Sequence, residues 1–167
     1  MPDTPSDTLS DEQIIDAGNK MRDQLAYLID EVDLLGPALA RTKAPIYEAK
    51  AASDQPSLKE ALFLLALRDR NVRIPLLTGQ PMRPAEPDNL EEQAHAVSLE
   101  DLIADVQASR RELVDSLPTD ADGWKVAVDV PGEPLSRLAY AHQVVLVDTD
   151  LLRDVALHLF DLQRVAG

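Results

Sequence analysis

The sequence predicts an all-α protein, a four-helix bundle whose connections are of unequal length. Three observations carry that reading. Apolar residues make up 45 % of the 167-residue chain and aromatics only 4 %, so the core has to be built from Leu, Val, Ile and Ala. A β-sandwich would draw more heavily on Tyr, Phe and Thr. Four segments repeat their apolar residues in alternating steps of three and four, the spacing of one helical face. Three of those segments open on a serine followed by acids or a glutamine in the first turn, which is helix-starting chemistry. A chain of this length makes one ordinary domain whose core needs no metal or disulfide staple. Residues 1–167 are therefore read as a single bundle domain, with residues 1–9 as a disordered tail.

The first helix opens at Ser10-Asp11-Glu12-Gln13, a capping box in which the serine hydroxyl accepts from the third residue on and Gln13 reaches back. Its seam runs Ile14, Met21, Leu25, Leu28, Val32 and Leu35, and Gly36-Pro37 is expected to stop it. The second opens at Ser57-Leu58-Lys59-Glu60 and runs to about Arg73 through Leu58, Ala61, Leu62, Leu65 and Val72, with Pro75 and Gly79 closing it. The third opens at Ser98-Leu99-Glu100-Asp101, whose acids suit the helix dipole. It continues through Leu102, Ile103, Val106, Leu113 and Leu117 to Pro118. The fourth is expected to start at Pro134, since proline is welcome in a first turn, and uses Leu138, Ala141, Val145, Leu152, Val155, Leu159 and Leu162. Such seams suit helices packed with slightly crossed axes.

The long crossover loops differ in character. Residues 36–56 are expected to include a short helix around Ile46 to Ala51. Residues 78–97 carry three prolines and no apolar period, which predicts an exposed crossover. Residues 118–133 hold the only Trp, Trp124, and a brief alternating run suited to extended backbone. Loops beyond roughly 12 residues are uncommon in compact domains and often flank a site.

Charge and composition exclude several functions. The net charge is −14, which repels nucleic acid and anionic lipid, so neither is an expected partner. Twenty Asp against ten Glu and eleven Arg against five Lys make a surface that suits either a high-salt cytoplasm or an ordinary acidic protein. Without cysteine there is no disulfide, no thiolate ligand and no cysteine nucleophile. No apolar run approaches the ~20 residues a bilayer requires. The opening MPDTPSDTLSDEQ is acidic and polar, the reverse of a secretory signal, and the expected compartment is the cytoplasm.

The informative residues are charges that fall on the apolar seams. Asp148 follows Ala141 and Val145 on the fourth seam, in the stretch LAYAHQVVLVDTDLL. Asp69 follows Ala61 and Leu65 on the second, with Arg68 and Arg70 beside it, and Arg110 stands between Val106 and Leu113 on the third. A buried carboxylate without a partner costs several kcal/mol, so an arginine beside Asp69 or Asp148 is the economical arrangement. Two uses follow: an ion-pair layer that fixes helix register, or a polar pocket between helices where a small molecule binds. Asp148, His142, Asp69, Arg110 and Trp124 are the candidate binding residues, and Asp148, His142 and Asp69 the candidates for any catalysis.

Metal chemistry finds little support in spacing. His142 and His158 are sixteen residues apart, which at ~100° per residue puts them on nearly opposite helix faces. His95 lies in the crossover, and no His-x-x-x-His or His-x-x-Glu pair exists. A magnesium ion shared by Asp148 and Asp69 is the remaining metal option. Dinucleotide, phosphate-loop and Gly-x-Ser-x-Gly signatures are all missing.

SLKEALFLLALRDRNVRIPLL (Ser57–Leu77) and DGWKVAVDVPGEPLSRLAYAHQVVLVDTDLL (Asp122–Leu152) resemble the second helix and the last connection of the DinB/YfiT-like four-helix bundles. The likeness rests on Ser-x-Lys-Glu leading to an acid–arginine pair, then on a Trp, a glycine turn and a Leu-x-x-Leu helix start. It implies the bundle fold and pairing as a homodimer. It also implies a site where characterised members hold a metal on three histidines, several of them activating a small thiol. Those positions fall here at or near Leu64, and on Val145 and Thr149 or, in a shifted register, Val147 and Leu151. None is a histidine. The expectation is a DinB-like bundle without the metal triad and without a cofactor, binding a small molecule or a partner protein. The alternative is a metal-dependent thiol transferase or hydrolase with a site rebuilt from His142, Asp148 and Asp69.

Overall fold

A computed structural model describes residues 9–40 and 56–166, and within them the side chains other than those of 34–40, 152, 155–156 and 158–166. The expected helix around Ile46 to Ala51, and all but the last residue of the expected tail, lie outside the described residues. The chain is mostly helical with one small two-stranded sheet. In order come α1 (Asp11–Ala40), α2 (Leu58–Arg68), a π-helical turn (Asp69–Arg73), α3 (Ile74–Thr78), α4 (Leu90–His95), α5 (Leu99–Asp115), α6 (Ala121–Lys125), β1 (Ala127–Val130), β2 (Glu133–Ser136) and α7 (Arg137–Ala166).

The serine starts are real caps. Gln13 N donates to Ser10 Oγ at 3.2 Å while Ser10 N donates to Gln13 Oε1 at 2.9 Å, closing both arms of the box. Ser57 Oγ accepts from Glu60 N and Ser98 Oγ from Asp101 N. The expected stops are less reliable. α1 continues through Gly36-Pro37 to Ala40. A proline this near a helix end forfeits one backbone bond, which a thirty-residue helix tolerates.

Pro75 does not end the second helical stretch either, and the reason is visible. The π turn lets Ile74 N donate to Asp69 O, five residues back. Proline has no N–H for the carbonyl four residues before it. That carbonyl, Asn71 O, instead accepts from Arg83 N at 2.8 Å, in the loop that follows. Asn71 Nδ2 donates to Pro84 O at 2.7 Å and fastens the same loop. The stretch then ends at Gly79, whose φ of 72° is the left-handed cap a side chain would strain.

The crossover holds a helix that the sequence pattern does not predict, and the alternating run in 118–133, extended as expected in β1, is paired into a hairpin. In the crossover, α4 buries Ala94 against α2, and Lys59 Nζ donates to His95 O. The last helix starts at Arg137, not Pro134. Residues 127–136 form a hairpin turned by Pro131-Gly132, with Gly132 at φ 86°. Proline then glycine is the residue order of a type II turn. Pro134 sits in β2 opposite Asp129, and in a two-stranded ribbon every strand is an edge, where proline is tolerated. Ser136 Oγ caps α7 through Ala139 N.

α1 packs on α5 and α7, and α5 packs also on α2 and the π turn. The interior divides into two apolar clusters. One gathers Ile14, Leu25, Leu77, Leu113, Trp124 and Ala141 among others; the second gathers Leu28, Val32, Leu62, Leu65, Leu102 and Val106. Along each long helix the boundary falls at the same level: between Leu25 and Leu28 on α1, at Asp69–Arg73, at Arg110 on α5 and at Asp148 on α7. A sheet of charge divides the core.

Candidate functional site

The dividing layer is a closed set of two aspartates and two arginines. Asp69 and Arg73 come from the π turn, one helical turn apart, so both side chains point inward together. Arg73 Nη1 donates to Asp69 Oδ1 at 2.9 Å and to Asp148 Oδ2 at 3.2 Å, and its Nη2 donates to Asp148 Oδ1 at 2.8 Å. Arg110 completes the square from α5. Its Nε donates to Asp69 Oδ2 at 2.9 Å, and its Nη2 to Asp69 Oδ1 at 3.2 Å and Asp148 Oδ2 at 2.6 Å. Arg110 Nη1 reaches Leu25 O at 3.5 Å, tying in α1. Each carboxylate thus receives three hydrogen bonds from two guanidinium forks. The four side chains are between 0 % and 7 % exposed, so none is screened by solvent.

The charges sum to zero, which is what permits their burial. An unpaired ion here would cost several kcal/mol, whereas planar guanidinium forks match carboxylates closely. Burial pulls the Arg73 guanidinium down, but Asp148 and Asp69 more than offset it and leave it raised. Tyr140 stands beside the layer. Burial pushes its phenol up to about 12; Arg73 opposes this, and Asp69 and Asp148 add to it.

On one side the layer forms the floor of a cleft of about 460 Å³ between α1, α5 and α7. Arg110 and Asp148 lie at its base, with Leu25, Leu28 and Val145 as apolar wall. Gln24, Tyr27, Glu31, Thr149 and Arg153 supply the polar and aromatic remainder. The volume suits a small metabolite.

Of the residues singled out from sequence, Asp69, Arg110 and Asp148 meet in the layer. His142 and Trp124 are elsewhere. His142 is exposed on α7, six residues before Asp148 and on a different face. Trp124 is 1 % exposed and lies in the apolar cluster against α1, so close to Gly18 that any Cβ there would overlap its indole. Arg68 and Arg70 do not serve Asp69. Arg70 instead pairs across the half-exposed surface with Asp105 at 2.5 Å and Glu112 at 3.6 Å. The partner that sequence reading missed is Arg73. Its signal is the Asp-x-x-x-Arg spacing, obscured because the sequence pattern ends the helix at about Arg73.

The aspartates make poor metal ligands in this arrangement. All six bonds they receive are at or below 3.2 Å and come from cations, which a divalent ion would have to displace and then face. Among the described residues no group of three His, Cys, Asp or Glu is placed to hold a metal. No helix among them is long and apolar enough to cross a membrane. Compared with known proteins, the chain matches no family model, no curated protein and no solved structure.

Proposed function

We propose that this chain is a small-molecule-binding protein on a DinB-like four-helix bundle, with its ligand held in the cleft between α1, α5 and α7 and no resident metal. The observation that carries the reading is the cleft itself, with the paired Arg110 and Asp148 at its floor. The resemblance drawn from Ser57–Leu77 and Asp122–Leu152 supports the same place in one of its two registers, because Val145 and Thr149 line the cleft whereas Val147 and Leu151 do not. None of the four supplies a metal-binding nitrogen. The ion-pair layer fixes the register of the helices that form the walls. The exposure of Leu146 and Leu157, eleven residues apart on one face of α7, supports a homodimer formed there.

A thermal-shift screen against amines, carboxylic acids, thiols and divalent metals tests the binding role, run on the wild type and on Val145→Trp, which obstructs the cleft above its floor. A compound that stabilises the wild type and not the obstructed variant supports the proposal. Stabilisation by a divalent ion alone, or equal shifts in both proteins, overturns it.

A further inference from the structure

The walls of the cleft carry a charge pattern distinct from the saturated layer beneath them. Glu31 stands half-buried in the wall with no ion-pair partner among the described residues. Burial pushes its carboxyl above the ordinary 4.5, the mark of an anion whose lost hydration is not replaced. Tyr27 lies four residues earlier on the same face of α1, 57 % exposed and lining the same space. At the floor, Asp148 Oδ1 receives one hydrogen bond, from Arg73, and a carboxylate oxygen accepts about two.

Of the two cations that line the cleft, Arg110 is neutralised within the layer and Arg153 lies at the solvent-screened rim. Arg110 commits its Nε and both hydrogens of Nη2 to the aspartates. Arg153 at the rim is 69 % exposed and lies 3.8 Å from Asp150. Within the lining Glu31 is therefore the charge left without an opposite, and an anionic ligand would meet its repulsion. A cation would replace the hydration that Glu31 has lost and lay its carbon framework on an aromatic face, where attraction to the ring quadrupole adds to the packing. The net charge of −14 raises the concentration of cations near the surface and speeds their entry.

We infer that the cleft takes a small organic cation, an ammonium or guanidinium group on a body of metabolite size, with its charge at Glu31 and its carbon against Tyr27. The inference rests on the cleft being a binding site, and the experiment separates the two. Benzylamine is titrated into the full chain with amide chemical shifts as the readout, beside benzyl alcohol and benzoate as neutral and anionic controls of the same size. Benzylamine is expected to bind tightest, moving the amides of Tyr27, Glu31 and Thr149. Glu31→Gln is expected to weaken it about tenfold and leave benzyl alcohol unchanged. If benzoate or benzyl alcohol binds in the cleft as tightly as benzylamine, or Glu31→Gln leaves benzylamine unaffected, the cation assignment is wrong while the cleft remains a binding site. If none of the three moves cleft amides, both readings fail. Because Glu31→Gln keeps the side-chain shape and removes only the charge, the variant is expected to fold, which its unligated spectrum establishes directly.

Discussion

Replacing Asp148 by alanine removes three of the six hydrogen bonds in the buried layer and one of its two negative charges. Arg73 and Arg110, 6 % and 1 % exposed, are then left sharing Asp69 with a net positive charge that water reaches poorly. Breaking one member out of a buried pair costs about 3–5 kcal/mol, most of it the penalty on the groups left behind. For a chain of this size each kcal/mol lowers Tm by roughly 2–4 °C, so Asp148→Ala should melt about 6–20 °C below wild type. Urea unfolding followed by far-ultraviolet circular dichroism gives the free energy directly. Two controls make the cause specific. Asp148→Ala in an Arg73→Ala background should cost less than it does alone, because the orphaned cation has gone. The loss should also persist in 1 M salt, which screens surface pairs but not dry ones. A loss below about 1 kcal/mol, or one that salt abolishes, would refute the view that this layer is desolvated and closed. Replacing all four residues by Leu and Met of similar volume should, by the same logic, be neutral or stabilising.

Stability should fall as pH rises from about 10 through 12, because Tyr140 has its folded value raised above its unfolded one and its neutral form is the one the fold favours. The full effect is about 2 kcal/mol, and alkaline melting curves of Tyr140→Phe should lack it. Glu31 follows the same sign at the acid end: its contribution is present below the ordinary 4.5 and lost as pH rises through the raised folded value, so Glu31→Gln should flatten that slope in denaturant titrations. Gly18→Ala forces a methyl into the Trp124 indole and should cost about 1–3 kcal/mol, with a red shift in tryptophan emission if the ring is displaced toward water. Ser57→Ala removes the hydroxyl that accepts from Glu60 N and should cost about 1 kcal/mol in urea titrations.

Much of the layer is legible in the sequence. Counting seams in threes and fours brings Asp69, Arg110 and Asp148 to one level because helical geometry is periodic and a charge at an apolar step stands out. Arg73 escapes because it lies where Pro75 is expected to end the helix. The helix passes that proline through the π turn and a hydrogen bond from Arg83 to Asn71, and no local pattern announces a loop folding back on a helix. Pro134 misleads for a related reason: a first-turn proline and an edge-strand proline look alike until the Pro131-Gly132 turn is paired with its strands. His142 and Trp124 are drawn toward the site by residue type, and the fold sends one to solvent and the other into packing. A pocket beside Asp148 is one of the two uses the seams suggest, but its size and walls are not legible in the sequence. It arises from how far α1 and α7 stand apart, which depends on side-chain volumes on several helices at once.

A core cut in two by charge also constrains how this sequence can drift. A methyl lost at Leu113 leaves a gap that Trp124 or Leu117 can close, but Val106 and Leu62, on the far side of the guanidinium plane, cannot follow without tearing hydrogen bonds. Compensating changes should therefore arise in pairs confined to one compartment. Homologues, when aligned, should show two nearly independent sets of covarying apolar positions, with the four ionic residues changing together or not at all.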